Sequence, residues 1–295
     1  MVIVGLKGGL GNQLFQYAAA KNIALENQTE LLIDEITGFK EDPYNRSFAL
    51  FDFCIESKSA SPILIKSFKN TSKIGKLFQY KIQKLFSLGY LKFLHERFYH
   101  FDSRIANLKI RKNIYLEGYF HSEKYFKSIS AQIQCEFEFK SKPDDDSVLY
   151  LKKIESANST SLHIRKYDDT KNLESSAIYG VCSLTYYQKA INYIQEKIPN
   201  STFFIFSDDI EFARNQLIIE DSKVEYVNRK GSSRASEDLR LMASCKNNII
   251  ANSTFSWWGA WLNKSPDKIV IAPKQWLATY KYDYKDVVPE DWLKL

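Results

Sequence analysis

The sequence is poor in the features of a metal-stapled, disulfide-bonded or membrane-spanning protein. Its 4 cysteines, at positions 54, 135, 182 and 245, lie far apart and form no Cys-x-x-Cys pair. That spacing argues against a zinc site or a disulfide framework and suits a reducing compartment. No apolar run reaches the ~18 residues that a membrane span needs. The first residues, Met1-Val2-Ile3-Val4-Gly5-Leu6, enter a strand-like run directly. With no basic region ahead of a long apolar stretch, no signal peptide is expected. Internal repeats and low-complexity tracts are missing, and no nucleic-acid fold signature accompanies the charge.

What remains is ordinary globular material. Of the 295 residues, 44% are apolar and 26% charged, with Lys+Arg 41 against Asp+Glu 35 for a net charge of +6. At roughly 100–200 residues per domain, this is one large domain or two ordinary ones. Aromatic residues reach 15%, which suits surfaces that stack on rings.

Charge is uneven along the chain. Residues 57–113 hold 13 Lys/Arg and 2 Asp/Glu, a local balance of +11, so the rest is mildly acidic. Ile74, Phe78, Ile82, Leu85, Phe86 and Phe93 recur within it near helical spacing. The stretch reads as a basic, partly buried helix pair. The competing reading is an interfacial surface attracting anionic lipid or a lipid-linked substrate.

Strand-like and helical segments alternate. Strands are predicted at Val2–Leu6, Leu31–Ile33, Ile114–Leu116, Gln134–Phe139, Ser161–Ile164, Phe203–Phe206, Val224–Val227, Asn248–Ala251 and Lys268–Ile271. Helices are predicted from Asn12 to about Glu26, on the Tyr187, Ala190, Ile191, Ile194, Ile198 stripe, and over Ser236–Ala243. Such alternation indicates parallel sheets. The polar run from Ser141 to Ser147 is the best boundary, dividing an N-terminal half (1–145) from a C-terminal half (146–295).

Four segments carry residues suited to chemistry. Gly8-Gly9-Leu10-Gly11-Asn12-Gln13-Leu14 is a Gly-rich turn between a strand and a helix, where backbone N–H groups approach a phosphate or sugar. With Asp34 about 20 residues on, it nearly matches a dinucleotide fingerprint, but Leu14 takes the third glycine's place. A tight turn without a ligand is the other reading. His163-Ile164-Arg165-Lys166-Tyr167-Asp168-Asp169 sits at a strand end, where ligands bind in open α/β sheets. Its cations suit a diphosphate. Phe206-Ser207-Asp208-Asp209 also ends a strand, and helix capping explains its carboxylates as well as ligand binding does. Asn252-Ser253-Thr254-Phe255-Ser256 runs into a helix with hydroxyl donors, a phosphate-binding arrangement. Its neighbours Trp257, Trp258 and Trp261 are expected in the core. Asp238, early in a helix, either accepts from a base such as guanine or complements the helix dipole.

Taken in order, these segments and Gly118-Tyr119-Phe120-His121-Ser122-Glu123-Lys124-Tyr125-Phe126 resemble the bacterial α-1,2-fucosyltransferases, glycosyltransferase family 11, along nearly the whole chain. The resemblance implies a GT-B fold, two Rossmann-like domains facing a central cleft. It implies inverting transfer of L-fucose from GDP-fucose to the 2-hydroxyl of a terminal galactose on an oligosaccharide, without metal or other cofactor. The C-terminal domain would hold the nucleotide and the N-terminal domain mostly the acceptor. Arg165 is then the arginine expected on the β-phosphate, with His163 and Lys166 beside it and Asp238 on the guanine side. Ser253, Thr254, Phe255 and Ser256 would donate to the phosphates, and Gly9, Gly11 and Asn12 would close over the donor. Asp168 is the nearest candidate for a base. One departure stands out: Lys166-Tyr167 replaces the family's usual Arg-Gly, keeping a charge but losing the planar fork. The resemblance also implies a cytoplasmic enzyme of surface-polysaccharide synthesis, peripheral to the inner membrane face if the basic stretch is interfacial.

Two other enzyme classes stay open at this level. A nicotinamide-dependent oxidoreductase would use the N-terminal turn and Asp34. A metal-dependent glycosyltransferase would use Asp144-Asp145-Asp146. A non-catalytic sugar-binding protein would explain the aromatics but not the phosphate loops.

Overall fold

The computed structural model describes residues 1–69, 93–166, 180–220, 222–229, 234–279 and 282–295. Two compact α/β units emerge from it, each built on its own parallel sheet.

The N-terminal unit comprises Met1–Glu138 together with Asp283–Val287. Its strands are β1 (Val2–Gly5), β2 (Leu31–Asp34), β3 (Lys58–Ser59), β4 (Phe93–His95) and β5 (Ile114–Glu117). They pair in the order β3-β2-β1-β5-β4, all parallel. Strands β1 and β2, as Val-Ile-Val-Gly and Leu-Leu-Ile-Asp, are buried along their length and show why the centre reads as apolar runs, whereas the edge strand β3 is exposed. A parallel strand covered on both faces has no solvent side to alternate towards. Helix α1 (Leu10–Glu26) packs on this sheet and is buried around most of its circumference. Among the described residues the other α-helices here are α2 (Pro62–Lys69), α3 (Ser103–Ala106) and α4 (Ser130–Glu136).

The segment Asp283–Val287 joins this unit late in the chain. Asp286 accepts from the Phe101 N–H at 3.1 Å and pairs with Lys124 Nζ at 2.7 Å. Asp283 lies 3.6 Å from His100 Nδ1. The expected boundary near residue 145 therefore differs from the observed change of unit after Glu138, and the N-terminal unit is not one continuous stretch.

The C-terminal unit comprises Phe139–Tyr282 and Val288–Leu295. Its elements are α5 (Asp145–Glu155), β6 (Asn158–Ile164), α6 (Leu184–Lys197), β7 (Ser201–Ser207), α7 (Ile210–Gln216), β8 (Lys223–Tyr226), α8 (Ala235–Ser244), β9 (Asn247–Ile249), α9 (Thr254–Leu262), β10 (Val270–Ala272) and β11 (Leu293–Lys294). The sheet runs β11-β10-β9-β6-β7-β8, again all parallel. Period-two alternation on β7 feeds two cores. Phe203 and Ile205 face α6 through Tyr187, Ala190, Ile191 and Ile194. Phe204 and Phe206 pack with Ile154, Leu241 and Met242 on the other side. Each fully buried Phe or Ile contributes about 1.5–3 kcal/mol.

Two expectations are corrected. Gln134–Phe139 is not a strand, because α4 covers Ser130–Glu136. Ile133 and Phe137 are both buried and lie four apart, the helical rather than the alternating spacing. Gln132 Nε2 bonds Glu136 Oε1 across the same turn at 2.9 Å. Phe93, counted in a helical stripe, lies on β4 and stacks on Tyr115 with ring centroids 5.4 Å apart. The rest of that stripe, Ile74 to Phe86, lies outside the described residues. Among the described residues no helix is long and apolar enough to cross a membrane.

Candidate functional site

In open parallel sheets, ligands bind beyond the strands' carboxyl ends at the point where strand order reverses. In the C-terminal unit that point lies between β6 and β9. His163 lies at the end of β6 with Arg165 and Lys166 just beyond it, and past β9 come Asn252 and the cap Ser253, followed by Thr254 to Ser256 in the first turn of α9.

His163 is buried, and its ring meets Phe255 edge-on at 5.9 Å. Its Nδ1 has no hydrogen-bond partner among the described residues. Burial and the Arg165 charge push its pKa down to about 3, so the ring is neutral at physiological pH. A buried polar atom without a partner is costly, and here it sits at the place where a ligand is expected. Arg165 Nη1 lies 3.2 Å from Asp208 Oδ2, with the arginine about one-third exposed. Lys166 Nζ lies 3.0 Å from Asp209 Oδ2 and 4.8 Å from the Phe212 ring. Its backbone N–H donates to Asp208 Oδ1 at 2.9 Å. The Asp208-Asp209 pair therefore braces the two cations. Asp209 also caps α7, accepting from the Phe212 N–H at 2.8 Å.

Ser253 caps α9, its Oγ accepting from the Phe255 N–H at 3.3 Å. Thr254 opens the helix, and the buried Ser256 hydroxyl returns to the Ser253 carbonyl at 3.4 Å. The helix start brings partial positive charge to the switch point. Trp257 and Trp258 are fully buried and Trp261 nearly so, which places this aromatic run in the core. Gly259 permits the close approach of α8: a Cβ there would lie 2.8 Å from Met242 Cβ. Asn252, at the head of the segment but given no role of its own from sequence, locks the loop. Its Nδ2 donates to the Gly180 and Trp276 carbonyls at 3.3 and 3.2 Å, and its Oδ1 accepts from the Cys182 thiol at 3.3 Å.

Asp238 lies in the first turn of α8, with its side chain 41% exposed. Its Oδ1 accepts from Arg229 Nε at 2.8 Å. Burial pushes its pKa above the ordinary carboxylate value. Arg229 is almost fully enclosed and also reaches Asp144 Oδ2 and the Arg234 carbonyl, both at 3.0 Å. Asp144, in turn, caps α5 through the Ser147 N–H at 2.8 Å. That leaves Asp144 engaged as cap and ion-pair partner rather than as part of a metal-binding triplet. Among the described residues no cluster of three or more His, Cys, Asp or Glu is arranged to hold a metal. Asp168, the candidate base, and Tyr167 lie outside the described residues.

The N-terminal unit reverses strand order between β1 and β5. Gly8 there has a φ of +77°, which favours glycine. Gly9 caps α1, and its carbonyl accepts from the Asn12 and Gln13 N–H groups at 3.0 and 3.1 Å. The buried Gln13 side chain ties Gly8 to Ser47 and Ala49, each bond 2.9 Å. Gln16 accepts from the Lys7 N–H at 2.9 Å and donates to its carbonyl at 3.2 Å. Gly11 is enclosed within the first turn of α1. His121 is buried, with Nε2 3.0 Å from Asn12 Oδ1, and stacks on Tyr119 at 5.1 Å. Phe120 takes a φ of +53°, a strained value for a bulky residue. Glu96 holds that turn, accepting from the Tyr119 and Phe120 N–H groups at 2.7 and 2.9 Å. Burial pushes the Glu96 pKa up to about 7.

Asp34 is not available as a ribose-binding acid. Its carboxylate accepts from the Ile36 and Thr37 N–H groups at 3.1 and 2.9 Å, from the Tyr115 hydroxyl at 2.7 Å and from the Thr37 hydroxyl. Those four bonds remove the basis of the oxidoreductase reading.

Comparison with known proteins gives the family and the fold type. The chain is 35% identical over 296 aligned residues to the O-antigen biosynthesis glycosyltransferase WbnK of Escherichia coli, covering 92% of this chain and 94% of the relative. It is 31% identical to an α-1,2-colitosyltransferase of Escherichia coli, covering 100% of this chain and 99% of the relative. Among solved structures it is similar in fold to a mutant of Arabidopsis thaliana FUT1 in complex with GDP. That likeness has a TM-score of 0.56 at 13% identity, covering 91% of this chain and 69% of the other. The fold is accordingly GT-B type, with two α/β units. The profile described as glycosyl transferase family 11 matches residues 1–295, and the chain belongs to that glycosyltransferase family.

Proposed function

We propose that the protein transfers L-fucose from GDP-fucose to the 2-hydroxyl of a terminal galactose, with inversion and without a metal. The observation that carries the reading is the switch point between β6 and β9. There, a buried imidazole nitrogen with no partner among the described residues, two braced cations and a helix start come together. The complex of FUT1 with GDP and the O-antigen relative support a nucleotide-sugar donor and a surface-glycan acceptor.

In this reading, breaking the bond between sugar C1 and the β-phosphate oxygen leaves negative charge on the phosphate. Arg165 and Lys166, held by Asp208 and Asp209, stabilise that charge without reorganising at the moment of reaction. The acceptor hydroxyl attacks from the opposite face, forming the new C–O bond and inverting the centre. Asp168 takes the hydroxyl proton in this proposal. If Asp168→Asn leaves kcat and the pH–rate profile unchanged, that role is refuted.

A second donor has its own support. The α-1,2-colitosyltransferase matches the whole chain, and colitose is L-fucose lacking the 3-hydroxyl. The test is GDP release from GDP-fucose and from GDP-colitose, with and without lactose, in EDTA, with linkage analysis of the product. Lactose-dependent release giving a 2′-fucosylated product supports the first reading. Preference for GDP-colitose supports the second, and loss of all activity in EDTA refutes metal independence. Peripheral membrane contact rests on the charge of residues 57–113 alone. Salt-sensitive binding to anionic vesicles is its test.

A further inference from the structure

Arg229 is the best-enclosed cation of the C-terminal unit's site, and the phosphate chemistry above does not use it. Its side chain is 4% exposed, yet both carboxylates it pairs with are accessible, Asp144 at 33% and Asp238 at 41%. A buried guanidinium holding two accessible carboxylates is an arrangement that fixes their direction rather than hiding their charge. Three of its contacts use different nitrogens: Nε on Asp238, Nη1 on Asp144 and Nη2 on the Arg234 carbonyl. The planar fork thus sets the plane and register of all three.

The two ends of this clamp differ. Asp144 spends Oδ1 on its helix cap and Oδ2 on Arg229. Asp238 spends only Oδ1, and among the described residues its Oδ2 is engaged by none. The arginine follows β8 by three residues and Asp238 opens α8, so both lie beyond the carboxyl end of the same sheet as His163 and Arg165.

We infer that Arg229 is a positioning residue for nucleobase selection: by holding Asp238 Oδ1, it aims Oδ2 at the amide and amino hydrogens of a guanine. This inference rests on the proposed GDP-sugar donor. The chemistry is specific, since a fixed carboxylate rewards the 2-amino group of guanine and a swinging one does not. Lysine in place of Arg229 keeps the charge and loses the fork, so base selectivity falls while the phosphate contacts persist.

The test is calorimetric titration of GDP and inosine diphosphate, which lacks the 2-amino group, against the full chain and three variants: Arg229→Lys, Asp238→Ala and their double. In the expected result, Arg229→Lys lowers the preference for GDP roughly tenfold, and kcat at saturating donor stays within about threefold. The double variant then discriminates no worse than Asp238→Ala alone, because both act through one carboxylate. An unchanged preference in Arg229→Lys, or an additive loss in the double variant, overturns the proposal while leaving the GDP-sugar reading standing. If Asp238→Ala itself keeps the wild-type preference, the guanine assignment of Asp238 fails and this proposal with it. Should Arg229→Lys fail to fold, Asp144→Asn decides. Asparagine caps a helix as well as aspartate does, so only the pull on Arg229 changes. A shift in GDP preference with an unaltered melting temperature supports the clamp, and no shift refutes it.

Discussion

Glu96→Gln separates a charge effect from a packing effect in the turn that carries His121. The wild-type carboxylate accepts from the Tyr119 and Phe120 N–H groups. Burial nevertheless raises its pKa from 4.5 to about 7. The sign follows from which state holds the proton. At a pH below the unfolded value, both states are protonated and the folded state bears no ionisation cost. As pH rises towards 7, the unfolded chain gives up the proton that the folded chain retains, so stability falls. Above the folded value the loss is complete, about 3 kcal/mol. Glutamine is neutral throughout, and its amide oxygen accepts the same two N–H groups. The variant is therefore expected to match the wild type within ~1 kcal/mol at acidic pH and to exceed it by about 2–3 kcal/mol in mild alkali. Urea unfolding of both proteins across this range, with hydrogen exchange at the Tyr119 and Phe120 amides, reads the difference. Contributions from every other titrating group cancel in the comparison. A gap between the two proteins that does not change with pH would refute the reasoning.

Three further outcomes follow from the same geometry. Arg165→Ala is expected to lose ~10²–10³ in kcat for GDP release while folding normally, since the side chain is partly exposed; near-wild-type turnover from a folded variant sinks its role at the phosphate. His121 and His163 both have pKa values pushed down to about 3 by burial and a nearby cation. Their stabilising contribution is present above the ordinary histidine value near 6.5 and is lost as pH falls towards 3, so wild-type stability should fall with acidification in this range, by less in His163→Asn; equal slopes in a urea series would contradict this. Gly259→Ala sets a methyl against Met242 Cβ and should destabilise by about 1–3 kcal/mol, weakening GDP binding because α8 and α9 both border the site. An unchanged melting temperature would show that the two helices separate freely.

The central strands were legible because burial on both faces leaves short apolar runs, as in Val2–Gly5 and Ser201–Ser207. Their carboxyl ends marked His163, Arg165 and Ser253 for the same reason. Edge strands were not legible: β3 and β11 have two residues each, too few for any period to show. Gln134–Phe139 misled because Ile133, Cys135 and Phe137 alternate in writing while only the four-residue spacing is buried. The supporting residues were the least visible. Arg229 and Asp144 are separated by 85 residues, and Glu96 and Phe120 by 24, so neither pairing leaves a local pattern. Position alone could have flagged Arg229, a cation three residues beyond a parallel strand, by the rule that found Arg165. Asp34 shows the converse. Its spacing suited a ribose, but Tyr115 and Thr37 had already claimed its oxygens.

The late return of Asp283–Val287 to the N-terminal unit bears on how the chain is made. A ribosome delivers Met1–Glu138 first, and the carboxylate that meets Lys124 and the Phe101 amide emerges only after strands β6 to β10 of the second unit. Until then the first unit lacks its closing piece, so its final consolidation waits on the second unit's translation. A fragment ending at Glu138 carries the entire five-stranded sheet and still omits Asp286. Dissecting the enzyme into halves therefore calls for grafting that short strap onto the first half, not for a single cut between them.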